Sequence, residues 1–265
     1  MEPPGAGRGP RRAAPARRRR LGRLPGRPAG AQRPAAVPPP LRVTIWVDSH
    51  CHLHLAPRGP EELLARAAAA GVAWLVCPGT DAAGSAQALA LAEAHPGVVF
   101  AAAGLHPHDA SRWPEEGDRI AALAARAAAV GECGLDFYRN LSPAEDQVAA
   151  LRAQFALAEE LDKPIVLHCR DAFAELYDEV ARAGAGRRSV LHCWTGGPRW
   201  TQRFAALGVV FSFAGPITYP TGDTTRRAAA AAPPDRTMIE TDTPYLTPPP
   251  HREQPNEPAN VVAVG

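Results

Sequence analysis

Val43-Thr44-Ile45-Trp46-Val47-Asp48-Ser49-His50-Cys51-His52 is an apolar strand that ends in two histidines one residue apart. Side chains on a strand alternate between its faces, so His50 and His52 point the same way and offer two imidazoles to one place. Imidazole nitrogen is a ligand for divalent transition metals, which makes the pair a candidate half of a metal site. Taken alone it reads more readily as two polar residues at a strand end, and the rest of the chain has to supply partners.

Working outward from Val43, short apolar runs alternate with Ala/Leu/Arg/Glu-rich stretches. Each run has the length of a strand buried on both faces. The pattern predicts strands near 43–48, 72–77, 98–103, 129–133, 164–168, 189–193, 208–213 and 236–240, with helices over 60–70, 83–94, 117–128, 143–161, 171–183, 198–206 and 222–231. Eight strands in strict alternation with helices specify an α/β fold of the (β/α)8 TIM-barrel type. Ser142-Pro143-Ala144-Glu145 reads as an N-cap, a proline at N1 and a capping-box glutamate, and Gly71, Gly184 and Gly208 stand where helices would end. A doubly wound open sheet is the alternative, but no G-x-G-x-x-G follows the first strand. After the eighth strand Pro258-Ala259-Asn260-Val261-Val262 reads as a last helix cut off shortly after its start, so the barrel is expected to lack that helix.

Charge is unevenly spread. Residues 1–42 hold eleven arginines and one acid, Glu2, which leaves 18 basic and 26 acidic residues for 43–265. The first segment has too few large apolar residues to offset chain entropy and is expected to be disordered. It is read here as the product of a mis-set start codon in an arginine-biased, GC-rich genome, ahead of a nucleic-acid-binding arm or a transit-like segment. Lys163 is the only lysine, in keeping with that bias. No apolar run is long enough for a membrane span or a secretory signal. The five cysteines are odd in number and show no CxxC spacing, which points to a reduced, cytoplasmic protein.

Barrel enzymes carry their reacting groups where strands end at the C-terminal face. The polar residues at those ends are His50 and His52 after strand 1, Glu132 after strand 4, His168 after strand 5, His192 after strand 6 and Asp242 after strand 8. Four histidines and two carboxylates on one rim form a nitrogen/oxygen set suited to one or two divalent ions. Cys51, Cys133, Cys169 and Cys193 each adjoin one of these residues. By strand alternation they face the helix layer and read as small buried apolar residues, not thiolate ligands.

Asp48-Ser49-His50-Cys51-His52-Leu53, Gly104-Leu105-His106-Pro107-His108, Gly131-Glu132-Cys133-Gly134-Leu135-Asp136-Phe137-Tyr138, His168-Cys169-Arg170, His192-Cys193-Trp194-Thr195-Gly196 and Glu240-Thr241-Asp242-Thr243-Pro244-Tyr245-Leu246 occur in series. In these motifs the chain resembles the TatD family of metal-dependent DNases, barrel hydrolases of the amidohydrolase kind. The resemblance implies two divalent ions (zinc, magnesium or manganese), one held by His50, His52 and Asp242, the other by His168 and His192, with Glu132 bridging both. It also implies hydrolysis of DNA, as a 3'-5' exonuclease on single-stranded ends.

Two metals in such a site activate water for in-line displacement at phosphorus, with Asp242 the candidate to orient it or take its proton. Arg170, two residues beyond His168 and so on the same face, can grip a phosphate through its planar fork. His106 ends strand 3 and is a candidate to bind or protonate the leaving group, and Tyr245 to stack a base. Asp48 reads as a partner for a metal-binding histidine, Trp194 as packing, and His54, His95 and His251 as loop or surface residues. A domain this acidic does not suit tight duplex binding, and a short grip on one or two phosphates is expected instead. The alternatives are an ester or amide hydrolase, such as a deacylase of charged tRNA, and an inactive truncated homologue. No obligate protein partner is inferred.

Overall fold

The computed structural model describes residues 44–265. The expected disorder of 1–42 lies outside the described residues. Eight strands run in sequence order and pair in parallel: β1 (Trp46–Asp48), β2 (Val72–Pro78), β3 (Val99–Ala103), β4 (Ala129–Asp136), β5 (Ile165–Arg170), β6 (Ser189–Leu191), β7 (Val210–Phe213) and β8 (Thr237–Ile239). Between and after them stand α1 (Pro60–Ala69), α2 (Ala82–Ala94), α3 (Trp113–Ala124), α4 (Ala144–Glu160), α5 (Phe173–Arg182), α6 (Gly197–Leu207), α7 (Asp223–Ala231) and α8 (Val261–Val264). This is the predicted (β/α)8 barrel, and its eighth helix is a single turn that seats Val261 against Trp46 and Ile239.

The barrel closes without a β1–β8 ladder. Past the ends of these strands Ser49 N donates to Ile239 O (3.1 Å), Asp242 N to His50 O (2.9 Å) and His52 N to Thr243 O (2.8 Å). The residues quoted first are therefore part of the closing seam.

Alternation sets which side chains face inward. In β5, Ile165, Leu167 and Cys169 belong to the large apolar cluster shared with the helices, whereas Val166 packs in a small separate cluster with Ala102 and Ala129. His168 and Arg170 share the parity of Val166 and so face inward. In β4, Ala129 packs with Val166, yet Cys133 and Leu135 belong to the outer cluster although they share its parity. One extra residue must lie between, and the register shift between Val130 and Cys133 locates this bulge. Gly131 (φ 120°) and Gly134 (φ 140°) permit it, because a Cβ on either would strike the β5 backbone, at Val166 O (2.6 Å) or His168 O (2.0 Å). The bulge turns Glu132 inward, and its N–H donates across to Gly79 O at the end of β2 (3.0 Å).

Three helix boundaries are informative. Gly71, Gly184 and Gly208 all have positive φ at the ends of α1, α5 and α6, as expected. Ser142 does not cap α4; its hydroxyl donates to His108 O (2.8 Å) and accepts from Ser111 N (3.3 Å), tying two loops together. Helix α3 runs four residues earlier than the alanine pattern suggests. Pro114, Glu115 and Glu116 occupy its first turn, and Lys163 Nζ ends it by donating to the carbonyls of Ala124, Ala125 and Ala127 at 2.6–2.8 Å. No helix among the described residues is long and apolar enough to cross a membrane.

Candidate metal centre

The strand ends bring His52, Glu132, His168, His192 and Asp242 together on the floor of a cavity of about 640 Å³ at the C-terminal mouth, with the fully buried His50 grouped against His52 and Asp242. Glu132 is 2% exposed and stands at the middle. Its Oε2 lies 3.3 Å from both His50 Nε2 and His52 Nε2, and its Oε1 lies 3.2 Å from His168 Nδ1 and 2.9 Å from His192 Nε2. Asp242 Oδ1 joins the first group at 3.8 Å from His50 and 3.7 Å from His52. The two oxygens of one carboxylate thus face two separate sets of nitrogen atoms.

The far side of each ring shows which nitrogen carries the proton. His52 Nδ1–H donates to Pro78 O (3.0 Å), which leaves the Nε2 lone pair facing Glu132. His168 Nε2–H donates to Asp136 Oδ2 (3.1 Å), which leaves Nδ1 facing Glu132. His192 Nδ1 lies 3.3 Å from Glu240 Oε1, with Nε2 turned inward. His52 and His168 therefore aim unprotonated nitrogen at a carboxylate, an arrangement that repels unless a cation lies between. These residues fit divalent ions.

His106 is oriented the other way. It lies 3.5 Å from Glu132 Oε1 and groups by distance with Glu132 and His168, but its Nδ1 accepts from His108 N (3.2 Å). In the neutral ring the proton then sits on Nε2, facing the cavity, which makes His106 a hydrogen-bond donor to substrate rather than a ligand. Burial lowers its pKa to about 4, so it is neutral at physiological pH. Its loop is fixed by Gln154 of α4, which accepts from Leu105 N (2.8 Å) and donates to Leu105 O (3.1 Å).

Electrostatics follow from this crowding. Burial pushes the Glu132 carboxyl up, but the imidazoles packed around it, His192 first, outweigh burial and hold the group well below the ordinary carboxylate range. Asp242 goes the other way: burial raises it to about 6, with His192 and His52 offsetting part of the rise. Asp136, which burial alone would raise, is lowered by hydrogen bonds from His168, the Arg139 N–H and His108.

Asp136, Glu240 and Asp48 act on the site at one remove. Asp136 holds His168 and, at 2.9 Å, His108. It is four residues beyond Glu132 on the inward face of β4, and that parity was its signal in the sequence. Glu240 accepts from Cys193 N (2.6 Å) behind His192. Asp48 does not support an imidazole as expected; its Oδ1 accepts from Thr241 N (2.9 Å) and His50 N (3.3 Å), and its Oδ2 from Thr241 Oγ1 (2.6 Å), binding the closing seam. Asn256, for which the sequence offered no signal, donates to Thr241 O (2.8 Å) and Tyr245 O (2.7 Å) and so holds both ends of the turn that carries Asp242.

The other expected residues are placed as follows. Arg170 and Tyr245 are exposed on the cavity wall, the Tyr245 ring 6.4 Å from that of His52. Trp194 is packed in the core and donates to Thr201 Oγ1 (2.7 Å). Cys51, Cys133 and Cys169 lie in the core, Cys169 also touching the cavity lining, and Cys193, with φ 43°, departs from strand geometry and lines the cavity too. His54 is half-buried, 3.4 Å from Cys77 Sγ, and is not a surface residue.

A family profile described as TatD related DNase matches residues 47–265. The "3'-5' ssDNA/RNA exonuclease TatD" of Rahnella sp. (strain Y9602) is 40% identical over 206 residues, 75% of this chain and 76% of that protein. The protein of the same description from Edwardsiella piscicida is 41% identical over 207 residues, 74% and 79% of the two chains. Among solved structures, YJJV, a TatD homolog from Escherichia coli K12, superposes with a TM-score of 0.75 at 33% identity, covering 83% of this chain and 87% of that one.

Proposed function

This chain belongs to the TatD-related DNase family, and on that premise we propose that it is a two-metal phosphodiesterase that removes nucleotides from the 3' end of single-stranded DNA or RNA. The observation that carries this reading is the division of Glu132, with Oε2 toward His50 and His52 and Oε1 toward His168 and His192. His50, His52 and Asp242 would hold one ion, His168 and His192 the other, with Glu132 between. Divalent ions there lower the pKa of water and offset the charge of a phosphodiester under attack.

The chain's own groups do the rest. Asp242, whose Oδ1 stands beside His50 and His52 at the cavity floor, is placed to orient the attacking water or take its proton. His106 Nε2–H faces the same floor and donates to a phosphate oxygen, then to the departing one. Asp136 holds His168 in the tautomer that keeps its lone pair inward, and the Glu240 carboxylate stands 3.3 Å behind His192. Arg170 and Tyr245 bind substrate from the wall. All five cysteines are unpaired, in keeping with a reduced, cytoplasmic setting.

The test is parallel assay of a single-stranded oligonucleotide, a blunt duplex, and ester and amide substrates, with zinc, manganese or magnesium and with a chelator. The reading predicts stepwise shortening of the single strand from its 3' end, abolished by chelation. Cleavage of esters or amides with no action on the oligonucleotide would replace it.

A further inference from the structure

At the β4–β5 side of the mouth, Tyr138, Arg139 and Arg170 leave from adjoining backbone. Asp136 pairs in register with Arg170, Phe137 N donates to Arg170 O (2.9 Å), and Arg139 N donates to Asp136 Oδ1 (2.8 Å). All three side chains are exposed, Tyr138 by 62%, and the Arg170 guanidinium carbon stands over the Tyr138 ring, 3.9 Å from its centre. Both arginines line the cavity. Neither has a carboxylate within ion-pair distance among the described residues, whereas Arg66, Arg112 and Arg152 are each matched to a glutamate. The nearby Asp136 is not free to neutralise them, since its oxygens already accept from His108, His168 and the N–H groups of Tyr138 and Arg139.

Two guanidinium groups without counter-ions, one held on an aromatic platform, form a site for a phosphate. They stand apart from the floor, because neither lies within ion-pair distance of Glu132 or Asp242, where the bond is cut. A strand entered from its 3' end has no phosphate beyond the terminal nucleotide, so the next one lies on the 5' side. We propose that Arg139 and Arg170, with Tyr138 as platform, hold the phosphate one nucleotide upstream of the scissile bond, so that the enzyme prefers strands with at least two phosphates over a lone diester. This rests on the 3' exonuclease reading. It also accounts for how a domain with 26 acidic and 18 basic residues draws in a polyanion, through a local pair of charges and not a basic face.

The experiment compares the metal-loaded protein on thymidylyl-thymidine, which has one diester, and on the same dinucleotide carrying a 5'-phosphate. A charge-assisted contact predicts kcat/KM higher by about tenfold for the phosphorylated substrate. Arg139→Gln and Arg170→Gln should each move the ratio toward one, mainly through KM, and the double variant should reach it. Binding of the two dinucleotides to chelator-treated protein should show the same order. Melting temperatures check that these exposed substitutions leave the fold intact. Equal kcat/KM for the two substrates in the wild type, or variants that lose both alike, would overturn the upstream subsite while leaving the phosphodiesterase reading standing. Failure of the wild type to cleave either dinucleotide or any longer strand is a different result, and overturns both.

Discussion

The seam between β1 and β8 and the ladder between β4 and β5 each hold one side of the candidate metal centre, by different means. Along the ladder, backbone pairing extends from Val130 to Asp136, and glycine at 131 and 134 lets β4 bulge against β5. At the seam three backbone bonds are reinforced by side-chain networks: Asp48 grips Thr241, and Asn256 spans Thr241 and Tyr245. The ladder places Glu132 and His168 through close backbone approach, which tolerates no added atoms. At the seam, the backbone bonds that hold His50, His52 and Asp242 are few, and the side chains that back them can be removed one at a time. The first kind of support fails as a whole, and the second should fail in steps.

The largest effect should therefore come from Gly134→Ala. Its Cβ would lie 2.0 Å from His168 O at a φ that side chains rarely adopt, so the variant is expected to lose at least about 4 kcal/mol and to melt as a poorly folded protein. A soluble variant with wild-type stability would break the contrast from the ladder side. Next comes Asp48→Ala. It strands buried donors on Thr241 and His50, each worth about 1–3 kcal/mol, and denaturant titration should show a loss in that range, with Asp48→Asn recovering part of it. Equal losses for the two variants would show that both carboxylate oxygens are needed and that the retained shape and single acceptor of asparagine contribute nothing.

Asn256→Ala should be milder. Loosening the Asp242 turn is expected to cost about 1–2 kcal/mol in stability and about tenfold in kcat, with KM for oligonucleotide less affected. Unaltered kcat would free Asp242 from that clamp.

The smallest effect is a control outside both regions. Glu179, itself buried beneath two half-exposed arginines, is lowered by its hydrogen bonds from Arg152, with Arg182 adding to the effect. A carboxylate with a lowered folded pKa stabilises fully above its unfolded value, near 4.5, and loses that stabilisation as pH falls through the folded one. The difference in melting temperature between wild type and Glu179→Gln should thus be small near neutrality and disappear in acid, with activity untouched. A difference that grows in acid would reverse the sign assigned to this group.

Much of this was legible in the sequence, for identifiable reasons. Strand parity placed His50 and His52 side by side, and the rule that barrel strands present chemistry at their C-terminal ends gathered Glu132, His168, His192 and Asp242 before any coordinates. The site's supports were less legible. The bulge in β4 depends on glycine conformation, which composition does not reveal, and without it Asp136 has no assured face. Asp48 looked like an imidazole partner because it stands two residues from His50, yet the seam it closes is formed with residues 193 positions away. Cys193 was assigned to the helix layer by alternation, which stops applying once its φ turns positive. The proton position on His168 is set by Asp136 of the neighbouring strand and cannot be read along its own, and that on His106 depends on the turn that brings His108 N back to its ring.

The central claim is that Glu132 serves two ions through its two oxygens, and Glu132→Gln tests it most directly because the amide keeps the shape while losing the charge. Metal content after dialysis, measured beside 3'-end cleavage of a single-stranded oligonucleotide, should show two equivalents per chain in the wild type. The variant should hold one or fewer, with cleavage lower by about a thousandfold. A variant that keeps two equivalents and cleaves at the wild-type rate would contradict the bridging role and the mechanism built on it.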